Sequence, residues 1–309
     1  MIPAGERPFN GVYASTLCPL LPDFRLDEDG LARHVIAVTE GTGLVGVLCN
    51  GHAGENFLLS REHKRRVVEI ARDAIGERSI IVSGVNAEST LEAVEHARDA
   101  EQAGADAIMI FAPNSWAFAK TPATVLRHHR MVVESVSVPI VLFQGSVNAG
   151  ETPFAPAVLE QLVQLPRVVA VKEGSWEVAA YEANRRLIHS VAPHVAVMGS
   201  GDEHLLASFM VGSEGAMVSL AVLIPEVIAE LYACAQREDW TRARSLHDVV
   251  YPLARAIYGK PPGQHATVRL KTCLKRLGRL RHDTVMPPLG PLGDDEVVTL
   301  QQALDEAGL

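Results

Sequence analysis

The sequence predicts an α/β chain folded as a (β/α)8 (TIM) barrel with a C-terminal helical extension, and three observations carry that reading. Eight short apolar runs alternate with amphipathic stretches at intervals of roughly 20 to 35 residues, the periodicity of repeated βα units. The sixth run, Val168-Val169-Ala170-Val171, is apolar throughout and mostly β-branched, as a parallel strand covered on both faces should be. The same periodicity allows a long doubly wound sheet, but such a sheet should carry a G-x-G-x-x-G turn after an early strand. Here Gly41-Thr42-Gly43 lacks the third glycine and precedes its strand.

The elements follow in order. Gly11 to Leu17 is the first strand, and Asp27 begins a helix to about Glu40. Leu44 to Leu48 is the second strand; it leaves through the glycine-punctuated loop from Cys49 to Asn56, and Ser60-Arg61-Glu62 opens a helix ending near Gly76. Ser79 to Val82 is the third strand. The next helix starts at Ser89 with Glu92 at capping-box spacing. Strand Ala107 to Phe111, helix Thr121 to Ser135, strand Pro139 to Phe143, helix Pro156 to Leu165 and the Val168 strand come next. Helix Trp176 to Ala192, strand Val195 to Met198, a short helix from Asp202 and strand Gly215 to Ser219 complete the set. Residues 1–224 are thus assigned to the barrel. Residues 225–309 supply the closing helix and the extension, packed on the barrel as one unit, with helices Pro225 to Gln236, Trp240 to Ile257, Gln264 to Leu277 and Asp294 to Ala307.

Bulk properties narrow the function. A chain of 309 residues with 48% hydrophobic content can bury a sizeable core. A formal net charge of −9 gives no long-range attraction to phosphate backbones or anionic lipid, so a small soluble ligand is expected rather than nucleic acid or membrane. Met1 to Pro8 shows no apolar stretch of a secretory signal, and Glu214 and Pro225 interrupt the apolar segment Leu205 to Leu231 short of a membrane span. Cys18, Cys49, Cys234 and Cys273 lack metal-type spacing and read as free thiols in a cytoplasmic protein.

Barrel enzymes place their chemistry at the C-terminal ends of the strands, which directs attention to Lys172. It stands at the end of the sixth strand, whereas the other five lysines (Lys64, Lys120, Lys260, Lys271, Lys275) fall in polar, helical or loop-like stretches and are expected to stay hydrated. Burial disfavours the charged amine, and a neutral amine attacks ketones to form a Schiff base. The alternative is a lysine that snorkels to the rim and pairs with Glu173 or another rim acid. Gly51-His52-Ala53-Gly54 can present successive N–H groups to a carboxylate at the mouth. His52 is then either a general acid–base beside the amine or a solvated loop residue. His128 and His129 read as surface residues of a helix. Gly199-Ser200-Gly201-Asp202-Glu203 would repel a phosphate, with Asp202 read as a helix N-cap. The strand ends offer no convergent acids and histidines, so neither metal nor cofactor is expected.

These pieces together resemble the dihydrodipicolinate synthase and N-acetylneuraminate lyase family. The resemblance rests on Gly51-x-x-Gly54-Glu55 before Leu59-Ser60-x-Glu62-His63, on Ala103-Gly104-Ala105-Asp106, Pro139-Ile140-Val141-Leu142, Val171-Lys172-Glu173 and Ser200-Gly201-Asp202, and on the Ala307-Gly308-Leu309 tail. It implies a barrel with a helical extension, a homo-oligomer (tetramer or dimer), and a lysine, here Lys172, that forms an imine with pyruvate or another 2-oxo acid. The chain departs from the family pattern in its pocket. His52-Ala53 replaces a hydroxyl pair, Phe143 replaces the tyrosine that usually shuttles protons, Asn114-Ser115 replaces an aromatic pair, and Asn148 stands where the synthase has an arginine.

The expected site is therefore Lys172 and His52 as catalytic residues, with Gly51, Ala53, Phe143, Asn148, Gly201 and Met217 against the substrate. His52, or a water held by Gln144, Ser146 or Asn148, would move the proton. The implied activity is a class I aldolase or dehydratase acting on a 2-oxo acid such as a deoxy-2-oxo sugar acid. The alternatives are dihydrodipicolinate synthase itself, a binder that has lost its proton relay, and a barrel enzyme that works without an imine.

Overall fold

The computed structural model describes residues 9–309; the leader-free reading of residues 1–8 lies outside them. Eight parallel strands close in sequence order, β1 (Gly11–Ser15), β2 (Gly46–Cys49), β3 (Ile80–Val85), β4 (Ala107–Ile110), β5 (Ile140–Gln144), β6 (Val168–Glu173), β7 (Ala196–Gly199) and β8 (Gly215–Val218), with β8 pairing back onto β1. Between them run α1 (Glu28–Thr39), α2 (Arg61–Ile75), α3 (Thr90–Gln102), α4 (Pro122–Glu134), α5 (Pro156–Leu162), α6 (Val178–Val191) and α7 (Leu205–Met210). Helix α8 (Pro225–Gln236) closes the ring, and α9 (Trp240–Tyr258), α10 (Ala266–Arg276) and α11 (Asp294–Glu306) form the C-terminal extension. No helix among the described residues is long and apolar enough to cross a membrane.

Strand periodicity explains the apolar runs. Alternate side chains point to opposite faces, and in a barrel both faces are covered. Tyr13, Leu48, Val82, Met109, Val141, Ala170, Met198 and Met217 fill the interior, while Val12, Val47, Ile81, Ile108, Leu142, Val171 and Val197 pack outward under the helices. The helices begin where the local chemistry allows. The side chains of Asp27, Ser60, Thr121 and Asp239 each accept a backbone N–H in the first turn of α1, α2, α4 and α9, and prolines occupy the first turns of α4, α5 and α8.

Four expectations are corrected here. Ser89 precedes α3, but its side chain makes no cap bond, and Glu92 turns instead toward His96 at 3.7 Å. His128 and His129 are not surface residues. They are 2% and 0% exposed, on the inner side of α4 against Trp116 and, for His129, Phe154. The periodicity of α4 is carried partly by these imidazoles, so counting only aliphatic residues points its buried face the wrong way. Burial is not confined to one lysine either: Lys64 is 8% exposed and Lys271 fully buried. Asp202 does not cap a helix through its side chain. Gly201 occupies that position before a short 3₁₀ turn (Asp202–His204), and the carboxylate reaches across to the Leu220 N–H, two residues past β8.

Candidate active site

Lys172 and Phe143 are register partners on β6 and β5, and both point into the mouth of the barrel. The amine reaches across the interior to within 3.4 Å of the Ser15 hydroxyl at the end of β1 and stands 5.9 Å from the centre of the Phe143 ring. Glu173, one residue on, points to the opposite face, as strand alternation requires. Its carboxylate accepts from the Ser175 hydroxyl and the Asn184 amide, so the rim pairing with Lys172 does not form. Burial pushes the amine down to about 8, with the nearby Asp202 carboxylate pulling it partly back up.

The Asp202 carboxyl is itself pushed up to about 7 by burial, opposed by the Leu220 N–H that donates to it at 2.7 Å and by Lys172. Tyr258, the last residue of α9, completes this side. Its hydroxyl lies 2.5 Å from the Ser219 hydroxyl and also interacts with Asp202, and its ring packs edge-on to Trp176.

The opposite side is aromatic and ends in the glycine loop. Residues His52–Gly54 form a 3₁₀ turn in which Gly54 and Asn56 donate to Gly51 O and Glu55 donates to His52 O. The N–H groups of His52 and Ala53 open this turn and take no part in its hydrogen bonds. The His52 ring packs 4.5 Å from Phe111 and 5.4 Å from Phe143, centre to centre. The residue nonetheless stays exposed to solvent, and partial desolvation against these rings, then the Lys172 ammonium, lowers its pKa, so the imidazole is neutral at pH 7.

The expected residues divide by place. Lys172, His52 and Phe143 meet at one mouth, with Gly51 and Ala53 flanking His52 in the turn and the Ala53 methyl packed on the outer core, and Gly201 lies buried as the residue before Asp202. Asn148 is exposed on the loop after β5, its N–H bonded to the Ser146 hydroxyl, and Met217 lies wholly buried in the apolar interior beside Tyr13. Gln144 is already committed: it accepts from Phe154 N and donates to Phe154 O, so it braces the β5 loop rather than holding a water. Sequence reasoning passed over Ser15, Phe111 and Tyr258, and took Asp202 for a cap rather than a site residue. The first two were legible from strand alternation, which puts Ser15 on the same face as Tyr13 and Phe111 on the same face as Met109. Tyr258 sits 39 residues from its partner Ser219 on a helix outside the barrel, and nothing local marks it.

With this geometry in hand, comparison with known families matches residues 8–307 to the dihydrodipicolinate synthetase family. The chain belongs to that family. Among curated relatives, the 4-hydroxy-tetrahydrodipicolinate synthase of Methanothrix thermoacetophila is 30% identical over 296 residues, 96% of each chain. That of Methanopyrus kandleri is 28% identical, over 97% of this chain and 96% of its own. A solved dihydrodipicolinate synthase superposes with a TM-score of 0.86 at 26% identity, covering 97% of this chain and 99% of its own. A prophage protein of E. coli K12 from the dihydrodipicolinic acid synthase family, solved in complex with pyruvate, gives 0.88 at 23% identity over 97% and 99%, a likeness of fold. Membership of the dihydrodipicolinate synthetase family supports an enzyme of the class I, pyruvate-dependent aldolase type.

Proposed function

We propose that the chain is a Schiff-base lyase that cleaves or dehydrates a hydroxylated 2-oxo acid, with Lys172 as the nucleophile. The observation that carries this reading is the Lys172 amine itself: set on a rigid strand, lowered to about 8 by burial, and placed at one mouth with the donor N–H groups of the glycine loop. The substrate carboxylate would accept from the His52 and Ala53 N–H groups. The neutral amine adds to the C2 carbonyl, and uptake of one proton with loss of water leaves a protonated imine. In the aldolase case the C3–C4 bond then breaks: its electron pair passes into the imine to give an enamine, and the C4 fragment leaves as an aldehyde once its hydroxyl proton is taken. Protonation of the enamine at C3 and hydrolysis of the imine release pyruvate and the free lysine.

The side of the mouth opposite the glycine loop supports a hydroxylated chain beyond C3, since Asp202, Ser219 and Tyr258 offer a carboxyl and two hydroxyls there. The synthase reaction itself is the reading favoured by the relatives' names, but the residue at its arginine position is the exposed Asn148. With phenylalanine at position 143, the acid–base group is His52 or a water beside it.

Borohydride trapping with pyruvate, followed by mass mapping, tests the nucleophile: an adduct on Lys172 is expected, and an unmodified Lys172 in folded protein sinks the imine. Deuterium uptake at the pyruvate methyl in D₂O tests proton transfer. Adduct with exchange supports a lyase, whereas adduct without exchange supports the binder reading that Phe143 and Ala53 motivate.

A further inference from the structure

Helix α10 carries two fully buried cations, Arg269 and Lys271, and neither belongs to the chemistry described above. The Lys271 ammonium pairs with the carboxylate of Glu55, both side chains at 0% exposure, and also donates to Thr284 O at 2.7 Å. The other Glu55 oxygen accepts from Met286 N at 2.7 Å. Glu55 closes the 3₁₀ turn that begins at His52, and its backbone sits in the left-handed region at φ +60, where a residue with a Cβ stays only if its surroundings hold it. Both oxygens of this carboxylate are thus tied to the C-terminal extension, 216 and 231 residues further along the chain. The second cation acts on the other wall. Arg269 donates to Ile257 O at 2.7 Å and Lys260 O at 2.9 Å, gripping the backbone on both sides of Tyr258.

We infer that the Glu55–Lys271 pair is a positioning device: α10 reaches in from the extension and fixes the glycine loop so that the His52 and Ala53 N–H groups point at the substrate carboxylate. A buried ion pair is weak evidence for stability, because a well-packed apolar or neutral pair can replace it at little cost. Its placement at Glu55, the left-handed residue that closes this turn, is what assigns it to geometry. The inference rests on the 2-oxo acid reading for the ligand, but not for the state of the loop.

Glu55→Gln with Lys271→Met removes both charges together, keeps an acceptor for Met286 N–H and preserves side-chain length. Lys271→Met alone strands a buried carboxylate and serves as the destabilised comparison. In the double variant, amide exchange of Gly54, Glu55 and Asn56 is expected to speed up relative to the β4 amides, which report global opening. The pyruvate concentration giving half-maximal borohydride trapping is expected to rise at least about tenfold, with the trapping rate at saturation little changed, since a loop displaced by an ångström misplaces the carboxylate but not the amine. A folded double variant with parental loop exchange and parental half-saturation overturns the inference. Should the parent form no adduct, the imine reading fails and loop exchange alone decides: faster in the double variant supports positioning, unchanged refutes it.

Discussion

Lys64 and Lys271 are buried and Lys172 is half-buried at the mouth, and comparing the three shows what reactivity requires. Lys271 is held by a carboxylate and a carbonyl, and Lys64 donates to Asn86 O at 3.0 Å, so both amines are engaged by fixed acceptors. Lys172 makes a single long hydrogen bond to a hydroxyl, and the carboxyl that acts on it, Asp202, is turned to the Leu220 N–H. Its pKa near 8 has a kinetic consequence: the neutral fraction falls tenfold for each pH unit below that value. The rate of adduct formation should therefore climb about tenfold per unit up to pH 8 and level off above it. A rate still rising through pH 10 would mean an ordinary solvated amine. At the facing position, Phe143→Tyr introduces a hydroxyl beside the Lys172 amine, and general acid–base catalysis contributes about 10² or more where proton transfer limits. Deuterium exchange at the pyruvate methyl should accelerate in this variant while half-saturation stays put; unchanged exchange would leave His52 or its water as a sufficient relay.

Among the elements, the strands were the most legible and the helix faces the least. A strand buried on both sides announces itself by an unbroken β-branched run, and each observed strand overlaps its expected span. Histidine is ambiguous, since the same ring can be solvated or packed, and α4 turns on two of them. Burial holds His128 down at about 4 and His129 at about 3, against 6.5 when exposed. Between the folded and unfolded values the unfolded chain binds the extra proton, so these groups withdraw stability as pH falls below 6.5. For His129 the loss at pH 5 is about 2 kcal/mol relative to neutral pH. His129→Leu fills the same site without a titrating group, and its urea-derived stability should drop by about 2 kcal/mol less than the parent's between pH 7.5 and pH 5. Equal drops would show that the ring is not held neutral by its packing. The Lys271–Glu55 pair was illegible for a different reason: nothing local tells a lysine in a basic amphipathic helix that it will meet a carboxylate 216 residues earlier.

At the scale of the whole molecule, closure depends on the seam where the last strand meets the first. Barrel periodicity was visible in the spacing of the apolar runs, but the seam is a matter of distance between backbones that composition does not record. Gly11 and Gly215 face each other there in register. A Cβ at Gly215 would lie 2.0 Å from Gly11 O and 2.7 Å from Gly11 N, and Gly11 itself has φ +84, so neither neighbour can withdraw without moving the strand. Gly215→Ala therefore forces β8 away from β1, and the Lys172 amine loses its register with Ser15, which β1 carries on the far side of that seam. Overpacking against backbone is expected to cost about 3 kcal/mol, read as a lower urea midpoint at unchanged slope. Gly263→Ala, where a Cβ meets nothing within 4 Å, is the matched control and should shift stability by no more than about 0.5 kcal/mol. If the two substitutions behave alike, the β1–β8 seam is looser than this packing requires. If Gly215→Ala alone lowers the midpoint and slows trapping at Lys172, the closed ring is what holds the amine at its mouth.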